Sequence, residues 1–485
     1  MQIGVLADRL EAIIWSDWLV GLCLLAGIYF TIRMGFPQVR LLKDMITQMR
    51  SQGKTTTGIT PFQAFAVSVG GRVGVGNIAG VATAIAVGGP GAVFWMWLSA
   101  FLGAGSAFTE SALAQAYKVK SGRDYLGGPA YYIEKGIGTK WFAAVFAVIT
   151  ILAPGILMPS AQTYTIAESV ESGFGLHPAV TGVILVVLLA AVIFGGIRRI
   201  GKTSAIIAPL MAIGYVLVAL IIIGANIRRV PEILSLIFSL AFGMDAVYGG
   251  ILGSAISWGV KRGVYSNEAG QGSGAMVAAA AEGDHPAGQG LVQAFSIYID
   301  TLIICSATAF MILITDSYNI VGEGLAVPIT ENLPGVESGV LYAQEAVNTL
   351  LSGFGEPFVA ISVFLFAFTT LISYYYQAAT NIRYLFSDNK TAVFIFRLVF
   401  LGTCFFGVVR TSEQMWTFGD LGVGVMAWLN LIAILLLSDQ GIRVLKDYEA
   451  QKKQGLSPVF NPAILELKSE VWEERFREKG TDTTK

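Results

Sequence analysis

The sequence predicts an all-α polytopic membrane protein: eleven transmembrane helices, one at the N-terminus and ten forming a 5+5 inverted repeat with two broken helices. Three observations carry this. Of the 485 residues, 54% are hydrophobic and only 13% charged, where a soluble protein has about 25% charged residues. Apolar stretches of membrane-crossing length recur along the chain. A Gly-x-Gly interruption occurs twice inside such stretches, at Gly74-Val75-Gly76 and Gly270-Gln271-Gly272, 196 positions apart.

The chain opens with the mixed charges Asp8, Arg9, Glu11 and Asp17, and the apolar run Trp18 to Ile32 follows. A cleavable signal would begin with positive charge, so this run reads as a retained membrane helix over 17–34. Further spans fall at 61–87, 91–117, 141–167, 178–197, 202–226, 246–283, 288–315, 356–386, 391–409 and 414–438. Basic loops set their direction. Arg40, Lys43, Arg50 and Lys54 follow the first span. Lys118, Lys120, Arg123, Lys135 and Lys140 follow the third, and Arg198, Arg199 and Lys202 the fifth. With eleven spans these share one side with Arg443, Lys446, Lys452 and Lys453 of the tail. The opposite loops are poorer in basic residues, with Arg228, Arg229 and Arg410 as exceptions. The longest, 316–355, has none and carries Asp316, Glu323, Glu331, Glu337 and Glu345. The expected location is the plasma (inner) membrane, with the N-terminus outside and the C-terminus cytoplasmic. The expected divisions are 1–60, a helix and an amphipathic cytoplasmic loop; 61–226 and 227–438, the two repeats; and 439–485, a charged cytoplasmic tail with a frayed end, Thr481 to Lys485.

The repeat runs without a gap. Ala79, Val81, Ala82 and Ala84 meet Ala275, Val277, Ala278 and Ala280, and Pro90 meets Pro286. An odd number of crossings separates the broken helices, which makes the halves inverted and places a transport site at the breaks. Two placements compete for the second broken helix. It could run from Val230 to near Trp258, leaving Lys261 and Arg262 at the cytoplasmic surface. The gap-free repeat favours the later break, with Val230 to Phe242 as an interfacial helix.

Unwound backbone is tolerated at membrane depth where it lines a cavity. The N–H groups of Gly74, Val75 and Gly76, with the positive end of the half-helix beyond them, suit a substrate carboxylate. Carbonyls exposed before the break suit Na+. Other classes fit less well. No long basic run or nucleic-acid motif occurs. Cys23, Cys305 and Cys404 lie in apolar stretches and form no disulfide framework. His177 and His285 stand far apart, without a metal-ligand set. No span carries a nucleophile, base and orienting group, so an enzyme is not expected. A channel would need a repeated filter motif.

Gly88-Gly89-Pro90-Gly91-Ala92-Val93-Phe94-Trp95-Met96-Trp97-Leu98-Ser99-Ala100-Phe101-Leu102-Gly103 resembles the defining motif of the alanine or glycine:cation symporter family. So do Arg72 to Ala82, Ser266-Asn267-Glu268-Ala269-Gly270, and His285 to Gly290 followed by Tyr298-Ile299-Asp300-Thr301. The resemblance covers nearly the whole chain. It implies a LeuT-type fold and Na+- or H+-coupled uptake of a small neutral amino acid. The implied partners are that amino acid, Na+ and the lipid bilayer, with no nucleic acid, no obligate protein partner and no cofactor beyond the coupling ion.

A second, local resemblance links Gly70 to Asn77 with the first broken helix of the neurotransmitter:sodium symporters. It implies that the Gly70 and Val73 carbonyls hold one sodium, that Gly74 and Gly76 hold the carboxylate, and that Asn77 contacts a second sodium. Phe366-Ala367-Phe368-Thr369-Thr370 resembles the eighth core helix, so Ala367, Thr369 and Thr370 would complete the first sodium site. Val75 stands where many family members have Thr or Ser, and Ser373-Tyr374 where many have Gly-Trp. Gln271 replaces an expected Met, and its amide could bind a polar substrate side chain, glutamine included. The expected substrate set is Gly74, Val75, Gly76, Gln271, Gly272, Thr370, Tyr374 and Met158.

Arg72 and Glu268 hold equivalent repeat positions, and intramembrane charges usually find each other. They are expected to pair as a gate in at least one state. For Asp300, cation binding and a hydrogen-bonding role both stand open. Glu110 reads as a structural hydrogen-bonding group near a helix end, with proton coupling as the alternative. Phe94 to Trp97 read as packing and interface aromatics. Met158 and Gln162 follow Pro154 on a kinked helix, where facing the cavity and core packing both stand open.

Overall fold

Helix α1, Gln2–Ile14, precedes the first long apolar helix, α2, Asp17–Arg33. Asp17 and Arg33 sit at the ends of α2 that its dipole favours. Short α3, Pro37–Arg40, and amphipathic α4, Leu42–Arg50, follow. This computed structural model describes residues 2–50, 55, 57–243, 251–322, 328–409 and 414–480. Lys54, Glu323, Arg410, residues 246–250 of the seventh expected span and the end Thr481 to Lys485 lie outside the described residues.

Helix α5, Pro61–Arg72, starts at a capping box in which Thr60 and Gln63 satisfy each other's backbone N–H groups. It stops at Val73. A single 3-10 turn, Val75–Asn77, leads into α6, Ala79–Gly88. Gly89, at φ +69°, and Pro90 turn the chain into α7, Gly91–Ala116. A hairpin of β1, Val119–Ser121, and β2, Asp124–Leu126, pairs Val119 with Leu126, and α8, Pro129–Tyr132, follows. Helices α9, Lys140–Leu152, and α10, Met158–Phe174, are joined by widened π-helical turns at Ala153–Leu157. Pro154 lacks the N–H that a regular α-helix needs there. Next come α11, Pro178–Ile193, the 30-residue α12, Gly196–Ala225, and α13, Val230–Ala241.

Helix α14, Leu252–Asn267, and α15, Ser273–Ala280, flank the second break. Helices α16, Pro286–Ile297, and α17, Ser306–Ile314, are joined by π-helical turns over Tyr298–Cys305. The short pair β3, Asn319–Ile320, and β4, Thr330–Glu331, precedes α18, Val340–Asn348. Then come α19, Gly355–Leu385, α20, Lys390–Val409, α21, Gln414–Leu436, α22, Ser438–Lys453, and α23, Glu470–Gly480.

Eight helices among the described residues are long and apolar enough to cross a membrane. The other three expected spans are short or interrupted: the 16-residue α11, and the pairs α5–α6 and α14–α15. Eleven crossings is therefore the topology proposed below. Helices α7, α16 with α17, and α19 are largely buried, while α12 and α20 expose most of their apolar surface. The chain unwinds at Glu268–Gly272, with α13 a separate helix, so the later of the two placements holds. A parallel bridge joins the chain entering α5 to the chain leaving α15: the Ile59 N–H bonds the Ala280 carbonyl at 3.1 Å and the Glu282 N–H bonds the Ile59 carbonyl at 2.9 Å.

Candidate functional site: two unwound breaks in the bundle core

At the first break Gly74 is extended and fully enclosed. A Cβ at Gly74 would lie 2.7 Å from Thr370 Oγ1 and 2.9 Å from Gln162 Oε1, so only glycine lets these elements approach. A Cβ at Gly76 would meet the Tyr265 ring at 3.0 Å. The expected N–H donors already have partners. The Gly74 N–H bonds Asn77 Oδ1 at 2.8 Å, and the Val75 N–H bonds Gln162 Oε1 at 3.2 Å. Gln162 thus places a neutral amide oxygen where a carboxylate oxygen is expected. Tyr265 and Tyr374 converge on the same amide. Met158 is buried against Gly422 of α21.

The residues expected around the first cation come together only in part. The Thr370 hydroxyl lies 3.0 Å from the Gly70 carbonyl and 3.4 Å from the Val73 carbonyl. These three oxygens converge at the start of the unwound segment. Thr369 departs from its expected role. Its hydroxyl bonds Phe366 O at 2.9 Å within its own helix and faces Met211 Sδ at 3.6 Å, because the next residue of a helix points about 100° away. Ala367 is buried on the same helix.

Asn77 and Asp300 are joined to each other. Asn77 Nδ2 donates to Asp300 Oδ1 at 2.7 Å, and the Asp300 carboxylate also accepts from Ser266 Oγ at 2.9 Å and Thr301 Oγ1 at 2.7 Å. Asp300 is thus held by three side-chain donors. Asn77 uses both ends of its amide on the protein, its Oδ1 accepting the Gly74 N–H at 2.8 Å.

At the second break Glu268, Gly270 and Gly272 adopt positive φ of 55°, 79° and 82°. Gly272 faces Pro129 and Asn430, and its N–H donates to Glu110 Oε2 at 3.0 Å. Gln271 turns its Nε2 onto the Val264 carbonyl at 2.6 Å. Neither residue joins the first break's cluster, because positive φ at the flanking glycines turns this segment toward α7 and α21. Glu110 also accepts from Asn430 Nδ2 at 2.7 Å.

Arg72 and Glu268 do not form the expected ion pair in this conformation: no nitrogen–oxygen contact within 4.0 Å joins them among the described residues. Arg72 Nε instead donates to the Asn267 carbonyl at 2.7 Å, its Nη1 to Gln293 Oε1 at 3.1 Å, and it also bonds Ser296 Oγ. Glu268 accepts from Ser273 Oγ at 2.7 Å. The exposed carbonyl ending α14 competes for the guanidinium and wins.

Above Tyr265, toward the face bearing α1, Arg262 makes a bidentate pair with Asp420 of α21 at 2.9 Å on each arm. Lys261 contacts Asp420 at 3.0 Å and also Glu11 of α1. The buried charges Lys261 and Arg262 are thus paired across elements. Gln162 stood in the sequence four residues after Met158 on a kinked helix, one helical turn away. Nothing local marked Tyr265, Asn430 or Asp420, which reach the site from remote parts of the chain.

The model of the sodium:alanine symporter family matches residues 2–462. The YrbD protein of Bacillus subtilis (strain 168), named as a candidate sodium/proton-dependent alanine carrier, is 53% identical over 96% of this chain and 97% of its own length. The sodium/proton-dependent alanine carrier protein of Bacillus sp. (strain PS3) is 49% identical over 88% of this chain and 97% of its own. The crystal structure of MhsT in complex with L-phenylalanine matches with a TM-score of 0.53 at 14% identity, covering 85% of this chain and 96% of that one, which shows a shared LeuT-type fold. A family match over nearly the full length, with relatives about half identical from end to end, establishes that this multi-pass membrane chain belongs to the sodium:alanine symporter family.

Proposed function

We propose that this chain imports a small neutral amino acid, alanine or glycine, together with Na+ by alternating access. The observation that carries the reading is the cradle of the Gly70 and Val73 carbonyls and the Thr370 hydroxyl, beside the Val75 N–H that Gln162 holds. Oxygens suit the cation, and an N–H at unwound backbone suits the carboxylate. Substrate would displace the Gln162 oxygen. The Tyr265 and Tyr374 side chains at the Gln162 amide favour a small substrate. The names of the Bacillus relatives support alanine, and they favour H+ as the second reading for the driving ion.

The proposed topology has eleven crossings in the plasma membrane, with repeats over 61–226 and 227–438, the N-terminus outside and the tail cytoplasmic. The chain moves its substrate without chemical conversion. It needs no obligate protein partner and no cofactor other than the coupling ion. Uptake of labelled alanine into proteoliposomes tests the reading. It should collapse when choline replaces Na+ at constant pH. Undiminished uptake in choline would reject sodium coupling, and abolition by a protonophore would assign the coupling to H+.

A further inference from the structure

One buried carboxyl group at the second break is only half satisfied. Glu110 is fully buried, and its Oε2 holds both the Gly272 N–H and Asn430 Nδ2. Its Oε1 is sealed from solvent without a hydrogen-bond partner among the described residues. An ionised oxygen left alone at membrane depth is costly. The charged groups facing Glu110 are Arg72 from α5 and Glu268 at the break. Tyr132 from α8 reaches it through Asn430 Oδ1. Arg72 Nη2 and Glu268 Oε1 are also buried without partners. Asp300 faces the same guanidinium. Fully ionised, these three carboxylates and one guanidinium carry a net charge of −2. A Na+ in the Gly70–Val73–Thr370 cradle offsets one negative charge and leaves the other.

The polar atoms on Glu110 decide what offsets the second. Gly272 N–H and Asn430 Nδ2–H are donors, which repel a metal cation and supply no oxygen ligands. A sodium ion needs several oxygens together, whereas a proton needs one. Oε1 is that oxygen, while Oε2 keeps the acceptor role that a neutral carboxyl group retains. The position is also tied to the second break. The ionised carboxylate is attracted by the positive end of α15 and by Arg72, and the neutral group is held less tightly.

Resting on the symporter reading, the geometry points to Glu110 as a proton-binding site, protonated at Oε1 and emptied within the cycle that carries the amino acid and Na+. The proton comes from water on the side to which the site opens and leaves to water on the other. Only the O–H bond forms and breaks.

The test uses the full chain in liposomes with a pH dye in the lumen. Alanine entry should acidify the lumen of wild-type vesicles. Glu110→Gln keeps an acceptor oxygen for the Gly272 N–H but cannot ionise. It should still exchange labelled for unlabelled alanine, while proton entry per alanine falls by about tenfold or more. Equal acidification per alanine in wild type and Glu110→Gln overturns the assignment. So does Na+-driven alanine uptake by the wild type with no acidification. Failure of the wild type to take up any amino acid strikes the symporter reading, and this inference with it. If Glu110→Gln does not fold, infrared difference spectra of the wild type decide. Adding Na+ and alanine should change the C=O band of a protonated buried carboxyl group, and an unchanged band overturns the proposal.

Discussion

Two adjacent threonines of α19 direct their hydroxyls to different partners. Thr370 directs its hydroxyl at the Gly70 and Val73 carbonyls, whereas Thr369 turns its own toward Phe366 O and Met211. Thr370→Val keeps the shape and deletes one contact of the proposed cation cradle, worth about 1.5–3 kcal/mol for a bond to a charge. The Na+ concentration for half-maximal alanine uptake should rise on the order of ten- to a hundredfold. Thr369→Val should change it by less than about threefold, because a neutral hydrogen bond inside a helix contributes little net energy. Equal shifts in the two variants would move the cation site. At this scale the sequence identified the glycines of both breaks, since glycine is a local signal, and it pointed to Thr370, whose hydroxyl meets the Gly70 and Val73 carbonyls. It missed Gln162 as the group on the Val75 N–H and the Asn267 carbonyl as the partner of Arg72 in this conformation. Those choices depend on side-chain orientation among several acceptors within reach.

Among the elements, the tail helices meet the exit of α15 through a compact polar cluster. Phe460 N–H bonds the Asp284 carbonyl at 2.9 Å, Arg475 pairs with Asp284 at 2.7 Å, and the buried Trp472 indole donates to the Gln115 carbonyl at 2.9 Å. His285 caps α16, its Nδ1 accepting the Ala287 N–H at 3.1 Å while Nε2 bonds Asp447 of α22 at 2.9 Å. That pattern requires an unprotonated Nδ1. Burial lowers the His285 pKa from 6.5, against the opposing pull of Asp447. The unfolded or undocked state therefore binds more protons in the window just below pH 6.5. The stability this cap contributes is complete above that pH and declines as pH falls through the window. Loss of the cap costs about 0.5–2 kcal/mol. Protease release of the tail should accelerate between pH 7.5 and 5.5 in wild type and stay flatter in His285→Asn, which caps without titrating. The same acid response in both proteins would rule out His285 as its source.

Across the whole molecule, the proposed orientation has a direct measurement. Cys305 and Cys404 are buried and Cys23 is partly so, which leaves a low thiol background. Exposed Ser457, between α22 and α23, and exposed Ser352, before α19, lie at opposite ends of the bundle. In intact cells an impermeant maleimide should label Ser352→Cys and spare Ser457→Cys, and the reverse pattern would invert the topology. The sequence alone determined the membrane class, the order of apolar spans and the place of both breaks. These follow from hydropathy, charge asymmetry and glycine, which act over a turn or two of chain. Tertiary structure alone decided which buried group meets which: Glu110 with Gly272, Gln162 with Val75, and Arg262 with Asp420. Those partners lie from 87 to 162 positions apart. Hydropathy can bury a polar group, but only the packed bundle determines which donor or acceptor comes within bonding distance of it.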